Sequence, residues 1–218
     1  MAEELGKIEK PSVEEFKGGR KLYFVPLIYC GPEAPDGYVE RFSNYWNQIE
    51  EQISSLETKL GKIHRIFHEL ITVSGEEGMK ALKELNNRCG EVTEKRLAAG
   101  AEIELIEESE LLAELMDWSR CLSVGFQSQK CFNRIYDYFR EVNKSRNEYI
   151  ARQIDEKLKA DEIGIIFMRE GHQVQFPADI DVFYVAPPAL DELKRWLRAR
   201  EEESPAEAKT KEDKEDKE

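Results

Sequence analysis

The stretch "IGIIFM", Ile163–Met168, narrows most sharply what this chain can fold into. It is too short for a buried helix and carries no side chain that prefers water. Both of its faces therefore need cover, which is the situation of a strand inside a parallel sheet flanked by helices. A long amphipathic stretch from about Gln129 to Lys159 runs straight into it, with Phe132, Ile135, Val142, Ile150, Ile154 and Leu158 on one stripe. A helix that delivers a buried parallel strand is half of a crossover unit, so further alternating elements are expected along the chain.

They are found. "KLYFVPLIY" (Lys21–Tyr29) reads as a first strand, and Pro26, which has no N–H to donate, places it at an edge or at a bulge. Tyr38–Leu60 repeats apolar residues at steps of three and four and is a helix that stops at Gly61. "KIHRIFHELITV" fits a strand better than a continuation of that helix through a glycine. Glu76–Gly100 is helical with a break near Cys89–Gly90. "AEIELIEE" alternates as a strand, and Ser109 is the expected N-cap of the next helix. "DIDVFYV" and a proline-led helix close the series. The expectation is one α/β domain over residues 20–200 with a mostly parallel sheet flanked by helices, and a long helix before the penultimate strand.

Two end segments stand apart. Residues 1–19 are mostly polar and read as a flexible arm. The last eighteen residues carry nine acids and four lysines with no apolar side chain larger than alanine apart from one proline, and read as a disordered acidic tail over 201–218. The formal charge of −13 leaves −8 on residues 1–200 once that tail is removed. This argues against broad binding to a nucleic-acid backbone. The amino terminus lacks the basic start and apolar stretch of an export signal, and no apolar run approaches membrane-spanning length. The four cysteines show no CxxC spacing and are expected to be reduced thiols in a cytoplasmic protein.

Ligands of open α/β sheets sit at the carboxyl ends of the strands. The segments that reach that edge are Cys30–Gly37, the surroundings of Glu69, Glu107–Ser109 and Arg169–Pro177. In "FMREGHQVQFP" the strand delivers Arg169, Glu170 and His172 beside Gly171, where backbone can approach a ligand closely. His172 there is a general base, a metal ligand, or the polar end of a strand. "HRIFHE" sets His64 and His68 four apart on one face, a zinc-like spacing that lacks its further ligands, and turns Glu69 to the opposite face if the segment is a strand. Cys30 is a loop thiol, nucleophilic or structural. Arg146 is either an anion clamp or a solvated helix residue. No phosphate-binding loop, dinucleotide fingerprint or nucleophile elbow occurs.

The order "RN…IA…I…L", an apolar strand, "GH" and a further strand resembles the carboxyl half of the TraB/GumN group, within the wider ChaN-like and erythromycin-esterase-like assemblage. It is carried by Arg146, Asn147, Ile150, Ala151, Ile154, Leu158, Ile165, Ile166, Phe167, Gly171 and His172, with Glu69 matching that group's glutamate at the end of its second strand. The resemblance implies a mixed α/β fold and a polar site of Glu69, Arg146 and His172. There His172 and Glu69 would hold a divalent metal, Glu170 and Gly171 would line the cofactor, and the chemistry would be metal-assisted hydrolysis. The loop where the group carries an early histidine reads "YCGPEAP" here. A non-catalytic binding or regulatory protein is therefore the alternative. Its partner would be a small molecule or a protein, a homo-oligomer included, with Phe42, Tyr45, Trp46 and Ile49 as one candidate docking face.

Overall fold

The computed structural model describes residues 18–215; the expected flexible arm, up to residue 17, lies outside them. Five strands form one parallel sheet: β1 (Arg20–Pro26), β2 (Arg65–His68), β3 (Glu102–Glu104), β4 (Ile163–Met168) and β5 (Ile180–Tyr184), in the order β3-β2-β4-β1-β5. Between them run α1 (Tyr38–Leu60), α2 (Gly75–Leu85), α3 (Asn87–Ala98), α4 (Ser109–Ser123) and α5 (Gln129–Lys157), and α6 (Pro188–Glu215) closes the chain. The protein is a single α/β domain, all parallel where a mostly parallel sheet was expected, and α5 is the long helix before the penultimate strand. Among the described residues no helix is long and apolar enough to cross a membrane.

The pleat of β1 and β4 divides the core. Tyr23, Val25, Ile165 and Phe167 face one layer, where α1 buries Phe42, Tyr45, Trp46, Ile49 and Ile53 and α6 buries Leu190. Leu22, Phe24, Ile166 and Met168 face the other, where the second half of α5 buries Ile150 and Ile154. Each such side chain stabilises the fold by about 1.5–3 kcal/mol. The aromatic face of α1 is thus spent inside the chain and is not available as a docking surface.

Gly164 lies tightly against the side of the core that α5 covers. A β-carbon there would lie 3.0 Å from Phe67 Cε2, 3.1 Å from Leu22 Cδ1 and 3.2 Å from Leu158 Cδ1. Gly164→Ala is expected to overpack this point and cost about 1–3 kcal/mol in urea unfolding. A loss near zero would mean that the layer relaxes freely.

Three local expectations are corrected. β1 is central, between β4 and β5, and not at an edge. Pro26 is tolerated because it is the last strand residue. Lys21 and Leu27 donate to β4, so the even positions turn their nitrogens toward β5, which stops pairing at Phe24. The helix pair breaks at Asn86, not at Cys89–Gly90, because the Asn86 side chain caps α3 by accepting from Cys89 N–H at 3.1 Å. The N-cap of α4 is Glu108, whose carboxylate accepts from the Glu110 and Leu111 N–H groups and displaces Ser109 into the helix. The helix α6 runs to Glu215. Residues 216–218 lie outside the described part.

Candidate functional site

Four strand ends meet at the carboxyl edge. β1 and β2 continue to helices on one face, whereas β4 leads along the other face to Val174 and Phe176. The edge around β4 is therefore a switch point of the kind where ligands bind. Glu69 follows β2, Glu107 follows β3, Arg169 follows β4, Tyr29 follows β1, and Arg146 enters from α5.

Their geometry is a closed relay of charge. Arg146 Nε donates to Glu107 Oε2 at 2.8 Å, and its Nη2 donates to Glu107 Oε1. The same Nη2 lies 3.6 Å from Glu69 Oε2. Glu69 Oε1 accepts the Arg169 N–H at 2.9 Å, with the Arg169 Nε at 3.2 Å. The two carboxylates and Arg146 are buried, while the Arg169 side chain is 57% exposed. Burial works against the charge of Arg146. The hydrogen bond and attraction of Glu107, with Glu69 behind it, outweigh that cost and hold the guanidinium above its ordinary pKa. Glu107 Oε1 also accepts the N–H of Leu70 at 3.0 Å, which holds this non-glycine residue at φ 70°. Backbone strain of this sort persists only where surrounding bonds impose it.

On the opposite face of β2, His68 is buried and donates through Nδ1 to the Glu69 carbonyl, so its Nε2 carries a lone pair without a partner among the described residues. Burial lowers its pKa to about 4. Tyr29 presents a second buried group, a hydroxyl with no hydrogen-bond partner among the described residues. Burial raises its pKa, and so does the charge of Glu69, while Arg169 and Arg146 pull it back; the hydroxyl therefore lies within the field of the cluster. A cleft of about 440 Å³ opens beside Tyr29 and the Gly31–Pro35 loop. Another, of about 390 Å³, opens beside Asn147 and Gln173. A larger cleft, about 900 Å³ and mostly apolar, lies elsewhere, between α2 and the edge strand β3, away from these charged groups.

Of the residues singled out from sequence, Glu69 and Arg146 are brought together. His172 is placed otherwise: its ring lies 4.9 Å from that of Phe24 and 5.6 Å from that of Phe176, and its Nδ1 accepts the Val174 N–H at 3.2 Å. Burial lowers its pKa. Glu170 turns outward to Lys194 and Tyr184. Burial opposes its charge, but the Lys194 bond prevails and holds the carboxyl low. Gly171 is exposed, with open space around it. His64 accepts the Ile163 N–H at 3.0 Å, and four residues along an extended chain separate it from His68 by about 13 Å, too far for joint chelation. Cys30 is a free, half-buried thiol. Among the described residues no group of three or more His, Cys, Asp or Glu side chains is arranged to hold a metal ion.

Sequence reasoning missed Glu107 and Tyr29 as site residues, although it marked the segment Glu107–Ser109; Tyr29 was read as the end of the first strand. The available signal was an acid in "LIEE" directly after an alternating strand, at the edge where Glu69 also emerges. Comparison with family models, curated proteins and solved structures returns no match, so the resemblance to the TraB/GumN group rests on the residues quoted for it alone.

Proposed function

We propose that this chain is a ligand-binding protein whose site is the carboxyl edge of the sheet between β1, β2 and β4, and that it takes a small anion there. The observation that carries this reading is a half-exposed Arg169, held at its Nε by buried Glu69, whose charge acts on the buried hydroxyl of Tyr29, a group without a hydrogen-bond partner among the described residues. A guanidinium anchored on one side directs its remaining N–H groups outward in a fork that suits carboxylate or phosphate oxygens. The Tyr29 hydroxyl supplies a further donor.

Metal-assisted hydrolysis is the weaker reading on this geometry. A general base needs a free lone pair near the substrate. Both Glu69 oxygens already face cations or N–H groups, and His172 is engaged with Val174 and two aromatic rings.

The test is a thermal-shift and calorimetric titration of the protein with inorganic phosphate and with succinate. At 100 times the dissociation constant, binding to the folded state adds about 2.7 kcal/mol. Arg169→Ala is expected to abolish the response without loss of fold, because the side chain is exposed. Tyr29→Phe is expected to weaken it by about 0.5–1.5 kcal/mol. A wild-type protein that responds to neither anion, or an Arg169→Ala protein that responds equally, ends this reading.

A further inference from the structure

The sheet ends on β3, and among the described residues no strand lies beyond it. Glu102 donates its N–H to the His64 carbonyl at 2.9 Å, so by alternation the N–H and C=O of Ile103 turn away from β2 to the open side. The side chains alternate as well. Ile103 turns with Ile66 to the layer of α2 and α3, and Glu102 and Glu104 turn with Arg65 to the face of α5, where Lys157 meets Glu104 at 3.6 Å. On the first of these faces the cleft of about 900 Å³ opens beside the edge, lined by Met79 of α2, Leu97 of α3, Ala101 and Ile103. A strand added to β3 would run about 4.8 Å from it, along the mouth of this cleft, and every second side chain would point inward.

Charge selects the kind of strand. On the α5 face three carboxylates, Glu102, Glu104 and Glu162, share Arg65 and Lys157, and the Glu102 side chain is still 68% exposed. On the cleft face Glu76, Glu84 and Glu94 stand against Lys80 and Lys83. Acids thus exceed bases by one on each side of the edge. A second copy laid edge to edge would set these acids against their own counterparts, and like charges across a strand pair destabilise it. A basic strand meets opposite charges on both faces.

We propose that the free edge of β3 takes an extended peptide of a partner protein in which apolar residues alternate with lysine or arginine. Its apolar side chains enter the cleft, its basic ones face Glu102 and Glu104, and its backbone pairs with Ile103. The probe is a labelled, end-blocked peptide, Gly-Lys-Ile-Lys-Val-Lys-Gly, titrated with the full chain and read by fluorescence anisotropy. Saturable binding is expected. Serine in place of the isoleucine and valine is expected to weaken it at least about tenfold. Glu102→Lys is expected to weaken it by about tenfold, whereas Asp181→Lys, the same change of charge on the exposed strand β5, leaves it within about twofold. Only alternate amides of an added strand face β3. Of two peptides N-methylated either at the lysines or at the apolar residues, one is therefore expected to bind as the parent does and the other not. Absence of binding, equal binding of the serine peptide, equal effects of Glu102→Lys and Asp181→Lys, or equal binding of the two N-methylated peptides overturns the proposal. So does a chain of double mass in sedimentation that Glu102→Lys makes single, since the edge would then belong to a second copy.

Discussion

Arg146→Ala is expected to destabilise the fold by about 3–5 kcal/mol, because it leaves Glu107 buried without its cation and Glu69 with Arg169 alone. For a chain of this length each kcal/mol moves the melting midpoint by about 2–4 °C, so a fall on the order of 10 °C is expected. The loss is not confined to one ion pair. Glu107 holds Leu70 in its left-handed conformation and Glu69 accepts the backbone of Arg169, so the ends of β2, β3 and β4 are fastened through one arginine. Such a network is expected to behave as a unit. Arg146→Met combined with Glu69→Gln and Glu107→Gln should cost less than the sum of the three single changes. Chemical denaturation of the four variants tests this. If Arg146→Ala lost less than about 1 kcal/mol, water would have to reach these carboxylates and screen them as at a surface.

The second large effect is a dependence on pH centred on His68. The ordinary histidine pKa is 6.5, and burial brings this one down to about 4, with the Glu69 carbonyl bond opposing part of that shift. The unfolded chain therefore takes up a proton that the folded chain refuses. Stability is fully present above about pH 6.5 and is lost as pH falls toward about 4, by roughly 3 kcal/mol in all. His68→Gln keeps a donor for the Glu69 carbonyl and cannot titrate. Carboxylates fastened to arginines lose stability at still lower pH, and they do so in both proteins. The difference between the two stability curves thus isolates His68. It should open below pH 6.5 and level off near 4; parallel curves across that window would mean that the imidazole is protonated in the folded chain.

Much of the architecture was legible in the chain because periodicity reports which faces are buried. The apolar run of Ile163–Met168 required cover on both sides, and the stripe of α1 required a layer to bury it; each found what it needed. The misreadings fell on caps and strand order, at Pro26, Asn86 and Glu108. There a single side chain or the identity of the neighbouring strand decides the outcome, and neither is a periodic property.

The candidate site divides in the same way. Position near a strand end marked Glu69, and the resemblance to the TraB/GumN group joined Arg146 to it; an acid and an arginine at the carboxyl edge are groups a parallel sheet can bring together. Sequence alone also determined the alternation of strands and helices and the opposite facing of His68 and Glu69. Only the tertiary structure decided that Glu107, thirty-nine residues before Arg146, is its main partner, that His172 turns to Phe24 and Phe176, and that half of α5 stands clear of the sheet. Those outcomes depend on the strand order β3-β2-β4-β1-β5 and on where a long helix leaves the layer it covers. Both are set by packing between segments far apart in the chain, which local pattern does not encode.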